Sequence, residues 1–224
     1  VATDRLKLYN GALRLVGHRS IASLSDNAEG RKLLDDVWND TGVDYCLSQG
    51  QWRFAMRAQR LDYSASIEPE YGLRRAFQKT DDWLLTSSVC QDEYYRVPLL
   101  QYTDEAGMLY ADLDQIYVKF VSTDAGYGGN LTLWPPAFTE YVKAYLAGQI
   151  CFKISADESR REYLLGPPGR PDKGFVHGTL INARNRDAIS EPTKFAAPGT
   201  WTQSRRSRGQ RTRFDGGNSQ QLIG

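Results

Sequence analysis

WPPAFTEYVKAYLAGQICFKI, Trp134 to Ile154, is the stretch whose reading decides the fold. Proline has no backbone N–H to give to a helix interior but is tolerated in a first turn, so Pro135 and Pro136 read as an entry, with a helix from about Ala137. Phe138, Tyr141, Tyr145 and Phe152 recur at helical spacing, with Gly148 on the same side. Leu146, Ile150 and Ile154 form a second stripe at intervals of four. The arc left for Glu140, Lys143 and Lys153 is narrow. A helix apolar on most sides is buried by several neighbours, which makes this the central element of a helical body. The four aromatic positions are expected to pack in the core or to meet another subunit.

Working back toward the N-terminus, Leu6, Tyr9, Leu13 and Val16 give one apolar face to a helix from Asp4 to Val16, with Thr3 as its cap and Gly17 as its end. Ser25 to Glu29 carries a capping pattern. The helix expected after it has Leu34, Trp38, Thr41 and Tyr45 on one stripe, with Gly42 weakening its middle. Both helices have the length to pack against the central one.

From Trp52 to Tyr127 the pattern becomes that of short strands. Trp52, Phe54 and Met56 alternate with Arg53, Ala55 and Arg57. Leu73–Lys79, Asp82–Cys90, Tyr95–Tyr102, Met108–Ala111 and Gln115–Ser122 follow, the last with the clearest alternation, Ile116, Val118 and Phe120 against Tyr117, Lys119 and Val121. Glu105-Ala-Gly107 reads as a hairpin turn. Gly128-Gly129 lacks the lysine and hydroxyl of a phosphate loop and reads as an exit loop.

Beyond the central helix, Ser155 to Glu158 has a capping pattern for a short helix through Leu165. Gly166 to Pro171 breaks it. Helical character returns from about Lys173 to Ile189, with Val176, Leu180 and Ala183 on one face. These readings give an α+β protein. An α-helical bundle body comprises residues 1–50 and 131–192, an antiparallel β module is inserted at 51–130, and an extended basic C-terminal arm covers 193–224.

Charge is unevenly shared along the 224 residues. Residues 193–224 hold six basic side chains (Lys194, Arg205, Arg206, Arg208, Arg211, Arg213) against Asp215, a surplus of +5. Residues 1–192 hold 22 basic and 26 acidic side chains, a net −4, so a weakly acidic body carries a basic tail. The arginine run fits three roles: contact with nucleic-acid phosphates, docking on an acidic protein surface, or a solvated tail. Isolated aromatics at Phe195, Trp201 and Phe214 are what an arm would use to dock on another subunit, and the residues by themselves leave all three roles open.

The sequence offers little for catalysis. His18 and His177 are far apart, and Cys46, Cys90 and Cys151 have no zinc spacing and read as buried thiols of a reducing compartment. Asp35-Asp36, Asp81-Asp82 and Asp92-Glu93 do not read as a hydrolase dyad: adjacent acids on a helix point to different faces, and those in loops read as solvated. No metal or cofactor is expected, and no catalytic residue is assigned. No stretch is apolar enough to span a bilayer, and the start reads as that of a soluble protein without a signal peptide.

LYNGALRLVGHRSIASLSD at 8–26, the acidic helix with Trp38, QWRFAMR at 51–57, WPPAFTEYVKAYLAGQI at 134–150 and ARNRDA at 183–188 carry a resemblance. In these strings and in element order the chain resembles the head-to-tail adaptor (connector) proteins of tailed bacteriophages, including the tail tubular protein A group. Gly166 to Gly174 departs from the unbroken helix that the family would have there. The resemblance implies a homo-oligomeric, commonly dodecameric ring beneath the phage portal protein, receiving tail or nozzle proteins below. DNA would pass through its channel without sequence-specific binding. It places the chain at the head–tail interface of the virion, assembled in the host cytoplasm. It also implies portal or subunit contact through the arm, at Phe195, Trp201, Arg205, Arg206, Arg208, Arg211, Arg213 and Phe214.

Overall fold

Helices Arg5–Val16 (α1), Glu29–Val37 (α2), Val43–Ser48 (α3), Pro136–Ile154 (α4), Glu158–Leu165 (α5) and Phe175–Ile189 (α6) build one part of the molecule. Strands Met56–Asp62 (β1), Arg75–Gln78 (β2), Trp83–Cys90 (β3), Thr103–Glu105 (β4), Met108–Ala111 (β5) and Gln115–Ser122 (β6) build the other, inserted between α3 and α4. The computed structural model describes residues 3–190, apart from Glu68, Glu70, Tyr71, Ala156 and the side chain of Thr41. The fold is α+β.

α4 is the axis of the helical part. Pro135 takes the N-cap position in an extended conformation and Pro136 is the first helical residue, so the helix starts one residue earlier than expected. Phe138, Tyr141, Val142, Leu146, Ile150 and Cys151 are all buried. α1, α2, α3, α5 and α6 all pack against this helix. Gly148 permits one of these contacts: a Cβ there would lie 2.7 Å from Leu165 Cδ2 of α5.

The two alternatives for the α4 aromatics, core or subunit contact, divide along the helix. Phe152 is 64% exposed rather than packed in the core. Cover along its stripe thins toward the C-terminal end: Phe138 and Tyr141 are enclosed, Tyr145 is half-buried, and Phe152 faces solvent. Periodicity fixes which face of a helix is apolar, but not how far its partners extend along it.

The helix ends also correct the sequence reading. Asp4, not Thr3, occupies the N-cap of α1 and makes no side-chain cap bond, while the Thr3 hydroxyl lies 3.4 Å from that of Thr139. Gly17 does end α1, at φ +80°, with Gly17 N–H donating to Arg14 O and His18 N–H to Leu13 O. These two bonds make a Schellman ending. α2 begins at Glu29 after Ala28; Asp26 instead accepts from Ala22 N–H at 2.7 Å and Ser23 N–H at 3.1 Å. A π-helical turn, Trp38–Gly42, carries α2 into α3 where Gly42 was expected to weaken the helix. Asp157 caps α5, accepting from Ser159 and Arg160 N–H groups. A short 3-10 turn, Pro171–Lys173, precedes α6, on which Leu180 and Ala183 are buried with Val176 packed beside them.

Among the described residues the strands form two antiparallel three-stranded sheets, ordered β1-β6-β3 and β2-β5-β4. β6 lies at the centre of the first, with Met56 opposite Val121 and Asp62 opposite Gln115. Its alternation is as the sequence reads: Ile116, Val118 and Phe120 enter a core shared with Leu61, Phe77, Val89 and Leu109. Val121, on the other face, joins the helical core. Ala106 and Gly107, at φ +49° and +79°, make the two-residue turn between β4 and β5.

Two segments depart from the expected strands. Arg53–Ala55 is a 3-10 turn, which brings Trp52 and Ala55, three residues apart, into the same buried core. Tyr95–Tyr102 is a loop with a single bridge, Cys90 to Pro98. The Asp92 carboxylate takes the N–H groups of Arg96 and Val97 that a strand would use, and Pro98 has none to give. β4, by contrast, is short, exposed and polar, and gives no apolar signal.

Burial makes a direct prediction about α4. Phe138→Ala should destabilise the protein by about 3–5 kcal/mol. Phe152→Ala should change stability by no more than about 0.5 kcal/mol. Urea denaturation of both variants measures this, and equal losses would contradict the assignment.

Candidate assembly surfaces

Trp52, Trp134 and Phe138 meet where the chain enters and leaves the sheets. Trp52 lies on the way in, Trp134 on the way out, and their ring centroids are 4.8 and 4.9 Å from that of Phe138. Phe54 is 4.9 Å from the same ring. Both indoles have their N–H satisfied: Trp134 donates to Gly128 O at 2.8 Å, and Trp52 to Cys46 O at 3.3 Å. The Gly128-Gly129 loop therefore serves as a packing turn against Trp134.

The last turns of α6 hold the same entry segment from outside. The Arg184 guanidinium donates twice to Gln49 O, its Nε at 2.8 Å. The Asp187 carboxylate accepts from Arg53 N–H at 3.2 Å and lies 3.9 Å from its guanidinium. Burial pushes the Asp187 carboxyl up, against the Arg53 N–H and charge that lower it. The strings at 51–57, 134–150 and 183–188 thus converge on one junction. The string at 8–26 is held separately: Asn10 bonds the backbone of Ile21 in both directions, and Arg160 of α5 donates to Val16 O at the C-terminal end of α1. A cation suits that end of a helix.

The acidic pairs are structural. Asp35 accepts from Arg5 at 2.6 Å, from the Tyr9 hydroxyl at 2.8 Å and from Arg31, joining α1 to α2. Asp82 accepts from Arg57 at 2.8 Å and from Ser122. Burial raises the Asp82 carboxyl, but Ser122 and Arg57 outweigh it and hold the group below its ordinary value of 3.8. Asp92 is also held low, chiefly by the Val97 N–H. The reading of the loop acids as solvated is therefore corrected for Asp82 and Asp92, and in each of the three pairs one member ties the backbone or neighbouring elements together. Cys46, Cys90 and Cys151 are buried free thiols, and burial pushes the Cys46 thiol far up, so it stays protonated. Among the described residues no group of three or more His, Cys, Asp or Glu could hold a metal ion, and no helix is long and apolar enough to cross a membrane.

The sequence-predicted contact residues are dispersed. Phe138 and Tyr141 are core residues. Tyr145 stacks on Tyr45 with centroids 5.0 Å apart, at the lip of a cleft of about 270 Å³ lined also by Gln49, Gln149, His177 and Leu180. Burial pushes the Tyr145 phenol up to about 12, so it is neutral in this stack. Phe152 faces solvent. Phe195, Trp201, Arg205, Arg206, Arg208, Arg211, Arg213 and Phe214, together with Pro192, lie outside the described residues.

A surface that the sequence reading missed is the loop after β3. Tyr94, Val97, Leu100 and Tyr102 are all exposed, Leu100 at 85%. The loop is nevertheless fixed. Tyr95 sits at φ +56°, donates its hydroxyl to Val118 O at 3.2 Å and lies under the Lys119 ammonium, 4.0 Å from the ring centroid. Leu99 is buried and donates its N–H to Val89 O at 2.9 Å. Four large apolar side chains are thus exposed on a loop whose backbone is held in place. Pro98 inside a supposed strand was the available signal, because proline rarely sits within a sheet.

The depressed Asp82 carboxyl has a signed consequence. Above its ordinary value of 3.8 it stabilises the fold, and the contribution is lost as pH falls through its lower folded value. Asp82→Asn should therefore be less stable than wild type at neutral pH and converge with it in acid. Thermal unfolding across pH 2–7 measures this on the order of single pH steps; a constant difference down to the acid end would contradict it.

No protein-family model matches this chain, and no curated protein is significantly similar to it.

Proposed function

We propose that the chain is the structural subunit of a head-to-tail adaptor of a tailed-phage virion. It would form a homo-oligomeric, dodecameric ring between the portal and the tail, with a channel for DNA. The observation that carries this reading is the place of the strings that resemble the adaptor family. Three of them, at 51–57, 134–150 and 183–188, meet where the β module joins the helical body. The resemblance therefore falls on residues that share a structural task rather than on scattered matches.

Three further features support the reading. The loop with Tyr94, Val97, Leu100 and Tyr102 offers a rigid apolar contact on the β module, suited to a tail or nozzle protein. Exposed Phe152 and Tyr163, the latter stacked on Phe175 at 5.4 Å, offer apolar contact on the helical body. The weakly acidic composition of residues 1–192 suits a channel wall that should not grip passing phosphates. The basic arm, Thr193 to Gly224, is the proposed portal contact.

Sedimentation of the full-length chain with isolated portal rings tests the reading. Association is expected, and removal of residues 193–224 should abolish it. Stable binding of the truncated chain to portal rings would overturn the arm assignment. Salt-sensitive DNA binding lost on the same truncation, without portal association, would instead favour a nucleic-acid-binding module. On an assembled ring, Leu100→Asp should leave portal association intact and abolish capture of the tail or nozzle protein. Unchanged capture would remove that loop from the interface.

A further inference from the structure

The chain crosses between the helical body and the sheets twice, and the two crossings are held differently. The exit is held from within: the Trp134 indole fills the junction and bonds Gly128 O, and Gly128 N–H donates to Ser122 O at 3.1 Å. The entry has an internal anchor in Trp52, but the backbone around it is held by side chains of another element. Gln49 O is met by Arg184, and Arg53 N–H by Asp187. Both come from the last turns of α6, far away in sequence. Arg184 is exposed, and Asp187 is only partly covered. Ser87, on β3, reaches the same segment by donating its hydroxyl to Gln51 Oε1 at 3.0 Å.

We infer that the end of α6 is a latch on the entry to the β module, and that release of these bonds loosens the module against the helical body. The two contacts are suited to this role. They fall on backbone groups, so they fix the path of the chain without filling core volume. They sit one helical turn apart on α6, so a displacement of its last turns releases both together. The aromatic junction makes none of these bonds: Trp52, Trp134 and Phe138 are held by ring packing and by the indole bonds to Cys46 O and Gly128 O. Coupling of this kind is reciprocal: whatever loads the β module also shifts the end of α6. The latch operates in the isolated chain, whatever its partners are.

Hydrogen exchange and spin-label distances on the full-length chain test it. Arg184→Gln and Asp187→Asn, alone and together, remove the latch bonds at the surface. In the double variant, amides from Gly50 to Met56 should exchange at least about tenfold faster, while those of α1 and α4 keep their wild-type rates. Labels at Glu105→Cys in β4 and Asp36→Cys in α2, both exposed, should show one narrow distance in the wild-type background and a broadened distribution in the double variant. The native thiols are buried. Arg184→Lys keeps a donor and should restore much of the wild-type protection. Unchanged exchange at Gly50–Met56, or an unchanged distance distribution, would overturn the latch. Faster exchange throughout α1 and α4 would also overturn it, by showing these bonds to be general supports of the fold.

Discussion

The contact on which the structure depends is the packing of Trp52 and Trp134 around Phe138. A β module inserted into a helical body must be joined at two points, and each crossing brings polar backbone into a region that is otherwise apolar. Large aromatic rings solve both parts of the problem. They fill the junction with apolar area, and their indole N–H groups serve the carbonyls of Cys46 and Gly128. α4 supplies the third ring and is itself enclosed by the other helices, so the junction is set on a largely buried element. Losing Phe138 would open the helical core and the junction at once.

Charged groups then fix the periphery. Asp35 gathers Arg5, Arg31 and Tyr9 and thereby sets α1 against α2. Asp82 draws Arg57 of β1 and Ser122 of β6 to the start of β3. Arg160 closes the end of α1 from α5. Individually such bonds contribute modestly at a surface, and their value lies in direction. They select one arrangement among the several that apolar packing alone would allow.

Much of this was legible in the sequence. The proline entry and apolar stripes of α4, the alternation of β6 and the glycine end of α1 are local signals of a local cause. What failed depended on contacts that apolar periodicity does not show. Phe152 carries the same periodicity as Phe138, yet its cover depends on where other helices stop. The strand expected at Tyr95–Tyr102 yields to Asp92, whose carboxylate captures two backbone N–H groups, and so an apolar run becomes an exposed loop. β4 has no apolar residue and exists because a two-residue turn folds it onto β5. Asp82 is tied into the structure by Arg57, which lies far off in sequence, and Asp92 by backbone N–H groups, which carry no sequence signal. The surface at Tyr94–Tyr102 was hidden for the same reason: its residues looked like half-buried strand positions until Asp92 turned them outward.

The proposed adaptor reading joins these facts into one account: an aromatic junction between a helical body and a β module, an apolar contact on each, and a basic arm. Single-particle imaging of the purified full-length chain, alone and with portal rings, tests that account most directly. The account predicts rings of fixed copy number around an open central channel. Particles that remain monomeric at every concentration, with or without portal, would contradict it.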